Sequence, residues 1–208
     1  MLVDMKSLLD AAEKRGCAIP AFNVYNAETA MGVLFAAEEA RSAVILQMYS
    51  RLFSSYEAEF MAPAIVAAAQ RAKIKVAFHL DHGASHEIVA RAIRCGCTSV
   101  MRDASELPLD ENISELRQVV RFAHDMGISV EGELGHIGVA AQGVSRDYTK
   151  VDEARRFVAE TGVSDTMQDM ICCLVGTIAF LPSAVHLGKG KGDWLTGAVS
   201  DFIDQNYH

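Results

Sequence analysis

Residues 77–87 read AFHLDHGASHE, an apolar run that closes on His79, Asp81, His82 and His86. Imidazole is a good zinc ligand, and a carboxylate beside it can carry a proton to or from a substrate oxygen. If the run is a strand, alternation puts His79 and Asp81 on one face. His82 then stands at the lip, where a metal with open coordination positions can be held, and Gly83 allows a sharp exit. The plainer reading is a polar strand end in which His79 satisfies a buried neighbour. His82 and His86 are four apart, as in H-E-x-x-H, but the glutamate of that motif is missing. His86 is therefore expected in the first turn of a helix after Ser85, facing solvent.

A second acidic cluster lies in SVEGELG, where Glu131 and Glu133 alternate with Val130 and Gly132. Period-two geometry points both carboxylates the same way, towards a second metal, a substrate hydroxyl or simply solvent. The following stretch, 135–146, has three glycines and few large apolar residues, and is expected to be a lid or an ordinary surface loop.

Positioning these groups requires strands. Candidate strands are 19–23, 43–48, 75–80, 98–102, 128–133 and 171–175, rich in Val, Ile and Phe and several apolar throughout. Such runs suit a parallel sheet buried on both faces. Between them lie helical patterns. Residues 110–126 put Ile113, Leu116, Val119, Val120, Ala123 and Met126 on one stripe, with Gly127 as the stop. Ser54-Ser55-Tyr56-Glu57 has the form of a capping box before a helix over 57–71, and Thr149 with Asp152 has a similar form before 152–160. An opening helix is expected over 5–15. Strand–helix alternation indicates an α/β fold, either an open doubly wound sheet or a (β/α)8 barrel. No G-x-G-x-x-G follows the first strand, which counts against dinucleotide binding. Asn23, Gln47, Asp81, His82, Asp103 and Glu133 all fall at the carboxyl ends of candidate strands, the edge that carries chemistry in either architecture.

Composition sets the remaining bounds. The chain has 208 residues, half of them apolar, and a formal net charge of -8. That charge and the scattered Lys and Arg argue against nucleic acid as a general partner, while a locally positive site for a small anion stays compatible with it. There is no apolar run of membrane-spanning length and no signal-peptide block at the N-terminus, so a cytoplasmic protein is expected. Five cysteines, with Cys172 and Cys173 adjacent, are expected to be reduced core thiols.

Taken together, AIPAFNVYN, AVILQ, HLDHG, SVMRDAS, ISVEGELGHIG and the YTK, DEA, FVAETGV series resemble the class II, metal-dependent ketose-bisphosphate aldolases, in matching order to about residue 163. The resemblance is closest to the branch that includes tagatose-1,6-bisphosphate aldolases. It implies a TIM barrel, usually dimeric or tetrameric, that cleaves a ketose 1,6-bisphosphate of tagatose or fructose type into dihydroxyacetone phosphate and glyceraldehyde 3-phosphate. It implies Asp81 as the catalytic acid/base and His82 as a ligand of catalytic zinc. Asp103 and Glu133 become carboxylates that hold a second cation or tune the site, and Asn23 and Gln47 pocket residues. Zinc in such a site stabilises an enediolate as a Lewis acid.

The sequence also departs from that pattern. Ala104 stands where the family usually has glycine, and the loop reads GVAAQGV. Leu174 to Thr177 is a remnant of the family's GT-x-HG strand, with Ala179 where a second zinc histidine is expected. No LHG-type motif supplies a third; His186 and His208 are the remaining histidines near the end, without the family's context. GKGKGD lacks phosphate-loop spacing. The expectation is an aldolase-type portion over 1–177, an incomplete barrel of about six strands, followed by a divergent tail over 178–208, altered or truncated as by a frameshift. The alternative is a non-catalytic aldolase-like chain or partner subunit.

Overall fold

The computed structural model describes residues 1–135 and 149–163. Five strands form one parallel sheet: β1 Ala21–Asn23, β2 Val44–Tyr49, β3 Val76–Gly83, β4 Ser99–Arg102 and β5 Ser129–Gly132. Their spatial order follows the chain, β1-β2-β3-β4-β5, with every neighbouring pair parallel. The helices are α1 Met5–Arg15, α2 Ala27–Glu39, α3 Ser50–Phe53, α4 Glu57–Arg71, α5 His86–Arg94, α6 Leu109–Asp125 and α7 Val151–Thr161. The expected strand over 171–175, the boundary at residue 177, most of the 135–146 loop, Cys172, Cys173, Ala179, His186 and His208 lie outside the described residues.

The two faces of the sheet are covered differently, and this decides between the two expected architectures. Val44, Leu46, Met48, Val76, Phe78, Leu80, Val100 and Val130 pack in one core with Leu34, Phe53, Ile65, Val89, Leu116 and Phe157 from α2 to α7. The intervening residues Ile45 and Ala77 face the other way, against Met5, Leu8 and Leu9 of α1. All connecting helices thus share one face, and strand order never reverses. An open doubly wound sheet has helices on both faces and a reversal point; the arrangement here is that of consecutive strands of a (β/α) barrel, with α1 packed against the inner face.

Local chemistry explains the element ends. Asp4 caps α1 by accepting from the Ser7 N–H at 2.8 Å, and Gly16 ends it in the left-handed region at φ 64. Gly127, at φ 70, follows α6 as expected. The expected capping boxes take another form. Tyr56 occupies the cap of α4, and Ser55 Oγ accepts from the Glu57 N–H at 3.2 Å while donating to the Glu57 carboxylate at 2.9 Å. Thr149 does not cap α7; its hydroxyl donates to the Leu134 carbonyl at 3.2 Å, tying the start of α7 to the end of β5. Met126, expected on the apolar stripe of α6, is exposed. Of the cysteines, Cys97 is buried but Cys17 is exposed, so not all are core thiols. Among the described residues no helix is long and apolar enough to cross a membrane.

Glycine matters most at Gly83, the last residue of β3. A Cβ there would lie 2.2 Å from the Met101 carbonyl oxygen and 2.9 Å from Leu80 Cδ2. Gly32, within α2, has open space at the same distance. Gly83→Ala should therefore lower the unfolding free energy by about 3 kcal/mol through overpacking. Gly32→Ala should raise it by about 0.5–1 kcal/mol through helix propensity. Urea denaturation of both variants checks the pair, and equal effects would remove the close-approach argument.

Candidate functional site at the carboxyl ends of β3, β4 and β5

Strand alternation alone would send His82 to the helix-covered face, with Leu80. The register between β3 and β4 shifts between Leu80 and Gly83, and His82 adopts φ 51. This left-handed residue inside a bulge turns the imidazole back to the face that carries Asp81. A positive φ outside glycine is uncommon, though histidine is enriched there, and such residues cluster at functional sites. The sharp turn expected at Gly83 thus occurs one residue earlier, and Gly83 serves the close approach of β4 instead.

The result is a dense group. His82 Nδ1 donates to Asp103 Oδ2 at 2.8 Å, and Glu133 Oε2 lies 3.7 Å from the same nitrogen. His82 Nε2 is 4.0 Å from Asp81 Oδ1. Ser105 holds the other oxygen of Asp103, through its hydroxyl at 2.7 Å and its N–H at 3.1 Å. His82, Asp103 and Glu133 each offer a ligand atom, all within 4.8 Å of one another. One imidazole and two carboxylates make a donor set suited to zinc or a harder divalent cation. The residues therefore fit the expected metal, with one imidazole among the described residues where three were expected.

The electrostatics follow from the crowding. Burial is the largest single influence on His82 and pulls its pKa down. The hydrogen bond with Asp103 and the charges of Asp81, Asp103 and Glu133 together outweigh it, so the pKa is raised from 6.5. For Asp103, burial again is the largest influence and pushes upward, but the bonds from His82 and Ser105 prevail and the pKa is lowered from 3.8.

The other expected residues occupy the layer below. His79 is buried; its Nδ1 shares a hydrogen bond with Ser99 Oγ at 2.9 Å, and its Nε2 faces Glu131 Oε2 at 3.3 Å. Glu131 and Glu133 do point the same way, but each serves a different imidazole, so they do not act as one carboxylate pair. Asn23, Gln47 and His79 are register partners across β1, β2 and β3, which puts all three on the inner face. His86 begins α5 after the cap residue Ser85, as expected. It does not face solvent freely: its Nε2 lies 3.3 Å from the Glu115 carboxylate and donates to the Glu115 carbonyl at 3.3 Å.

Four contributors were not singled out in the sequence. Tyr49, register partner of Asp81, sets its ring edge-on to His82 at 6.1 Å. Ser105 lies two residues after Asp103, a local side-chain-to-backbone spacing that was available as a signal. Arg102 is buried on the helix side of β4, and Asn112 is buried on α6. Neither has a periodic signature of its role.

With this geometry in place, the comparisons identify the family. The sequence matches the class-II fructose-bisphosphate aldolases over residues 3–179. The chain belongs to that family. The match runs past residue 163, where the motif resemblance thins. The chain is 41% identical over 166 residues to the Escherichia coli K12 protein YdjI, covering 78% of this chain and 60% of that protein. It is 37% identical over 196 residues to a fructose-bisphosphate aldolase of Thermus caldophilus, covering 92% of this chain and 61% of that one. The crystal structure of the YdjI aldolase superposes with a TM-score of 0.69 at 40% identity, covering 78% of this chain and 58% of that one. The chain thus spans about three fifths of the length of these relatives. The sheet with its one-sided helices is the corresponding part of their barrel fold.

A pH effect follows. Because His82 has a raised pKa in the folded chain, its contribution to stability is complete below about pH 6.5 and is lost as pH rises through the raised value. Asp103 acts oppositely, contributing above about pH 3.8 and losing that contribution as pH falls through its lowered value. Metal-free chain should melt at lower temperature as pH rises from about 6 to 9. His82→Asn, which tolerates the left-handed backbone, should flatten that decline. Parallel curves for the two proteins would refute the assignment.

Proposed function

We propose that this chain carries the proton-transfer and metal-binding part of a class II aldolase acting on a ketose 1,6-bisphosphate of tagatose or fructose type. The products are dihydroxyacetone phosphate and glyceraldehyde 3-phosphate. The observation that carries this reading is Asp81 set beside His82, Asp103 and Glu133 at the carboxyl ends of adjacent parallel strands. In the cleavage direction Asp81 takes the proton from the C4 hydroxyl as the C3–C4 bond breaks; in the reverse direction it returns that proton to the new alkoxide. His82, Asp103 and Glu133 would hold zinc or, for the two carboxylates, a further divalent or monovalent cation. Bound zinc would supply Lewis acidity at the ketose oxygens. Asn23 and Gln47, one layer down on the same face, are the candidate contacts for substrate hydroxyls.

Several further assignments belong to this reading. The aldolase-type unit runs to about residue 177 and a divergent tail follows over 178–208. The protein is cytoplasmic, has no nucleic-acid or membrane partner, and works as a homo-oligomer or as one subunit beside a partner. Exposed Met31 and Phe35 on α2, which line one groove with Ala64, Ala67 and Ala68 of α4, support association, since large apolar side chains gathered on a surface commonly mark contacts.

Zinc content by elemental analysis and a coupled aldol-cleavage assay test the proposal. The chain should hold zinc stoichiometrically and turn over. Asp81→Ala should keep the metal and lose about 10²–10⁴-fold in kcat. His82→Asn should lose the metal. Neither zinc nor turnover in the unaltered chain would reject the reading in favour of a non-catalytic aldolase-like protein.

A further inference from the structure

The three strand ends that carry His82, Asp103 and Glu133 are each gripped through a backbone carbonyl, and all the grips lead to α6. Asn112, 2% exposed on the first turn of that helix, donates its Nδ2 to the Glu133 carbonyl at 2.9 Å. One turn later, Glu115 accepts from Arg102 Nη2 at 2.7 Å. Arg102 Nη1 in turn donates to the carbonyls of Asp103 and of Gly83, the latter at 3.4 Å. Gly83 directly follows His82, and its carbonyl also accepts the Asp103 N–H at 3.1 Å. His86, at the start of α5, meets Glu115 as well, with Nε2 3.3 Å from the same carboxylate oxygen that Arg102 contacts.

The cost of this arrangement shows that it is not simply a stabilising contact. Arg102 is 7% exposed, and its Nε has no hydrogen-bond partner among the described residues. Asn112 Oδ1 is likewise buried without one. An ion pair with one buried and one half-buried partner gains little over apolar packing, and unpartnered buried polar atoms subtract further. What the network does achieve is geometric. A guanidinium is a rigid fork, so the two carbonyls it holds, of Gly83 at the end of β3 and Asp103 just after β4, are fixed relative to each other, and Asn112 on α6 ties the Glu133 carbonyl, just after β5, to the helix that carries Glu115.

We infer that Asn112 and the Glu115–Arg102 pair on and against α6 are positioning residues that set the spacing of His82, Asp103 and Glu133 for a divalent cation. This rests on the metal reading of those three residues, and it makes α6 the element that holds the site to its dimensions from outside. None of the positioning side chains need touch the ion or the substrate.

Co2+ binding to the full chain, followed by its visible absorption, tests the inference without reading turnover. Arg102→Met and Asn112→Leu should each weaken Co2+ about 10–100-fold, the range for residues behind metal ligands, and change the absorption band. The double variant should show the product of the two losses, because different strands are released. Glu115→Gln added to Arg102→Met should do nothing more. Arg102→Lys, which retains the charge but not the fork, should fall between. Affinities within about twofold of the unaltered chain, with the band unchanged, would overturn the inference even if melting temperatures fell, since that pattern is a structural role only. If Arg102→Met does not fold, Arg102→Lys and Asn112→Leu decide by the same criterion. An unaltered chain that binds no Co2+ overturns the metal reading and the inference with it. Binding without cleavage of a ketose bisphosphate would count against the substrate assignment alone.

Discussion

Three carboxylates share the space around one imidazole at the carboxyl ends of β3, β4 and β5. Ligand oxygens of Asp103 and Glu133 lie within 4.8 Å of each other, and like charges at about 5 Å repel by about 3 kcal/mol at an effective dielectric near 20. Such a group persists only if the backbone beneath it is stiff and positive charge is supplied. Without metal, the proton held by His82 supplies it, which is why that imidazole is more basic than usual while Asp103 is more acidic. Under the proposed metal reading a divalent cation would meet the same need with more charge and displace the proton. Proton and metal would then compete for one place.

Stiffness comes from the way the sheet is buried. Its outer face is sealed by α2 to α7, and its inner face is filled at the lower level by Met5, Leu8 and Leu9 of α1. Above that apolar floor the inner residues become polar: Asn23, Gln47 and His79 form one layer, and Asp81, Asp103 and Glu133 stand beyond it. Parallel pairing with no reversal keeps the layer of Asn23, Gln47 and His79 in register, and the shift between β3 and β4 falls just above it, at the level of Asp81 and His82. The reactive groups thus rest on packed hydrocarbon: Asp81 and His82 lie within β3, and Asp103 and Glu133 directly follow β4 and β5.

Much of this was legible in the residues. Apolar runs marked the five described strands to within a few positions, and α1 and α4 fell over 5–15 and 57–71, where they were expected. Asp81, His82, Asp103 and Glu133 were visible because polar residues at the ends of apolar runs stand out. What could not be read was direction and distance. Simple alternation sends His82 to the wrong face, because a bulge and a positive φ leave no periodic trace. The caps of α4 and α7 were misassigned because Ser55 and Thr149 had other partners within reach. Arg102 and Asn112 were missed because their bonds run to backbone carbonyls about 20 residues away, and carbonyls have no letter in a sequence.

One consequence concerns which part of the chain sets the site. Spatial order equals chain order in the sheet, so the group proposed to hold a cation and the helix that contacts its strand ends all come from the interval between His82 and Glu133. The distances among these charged groups are therefore set within one continuous stretch of chain, 82–133, by strands that are neighbours in both sequence and space.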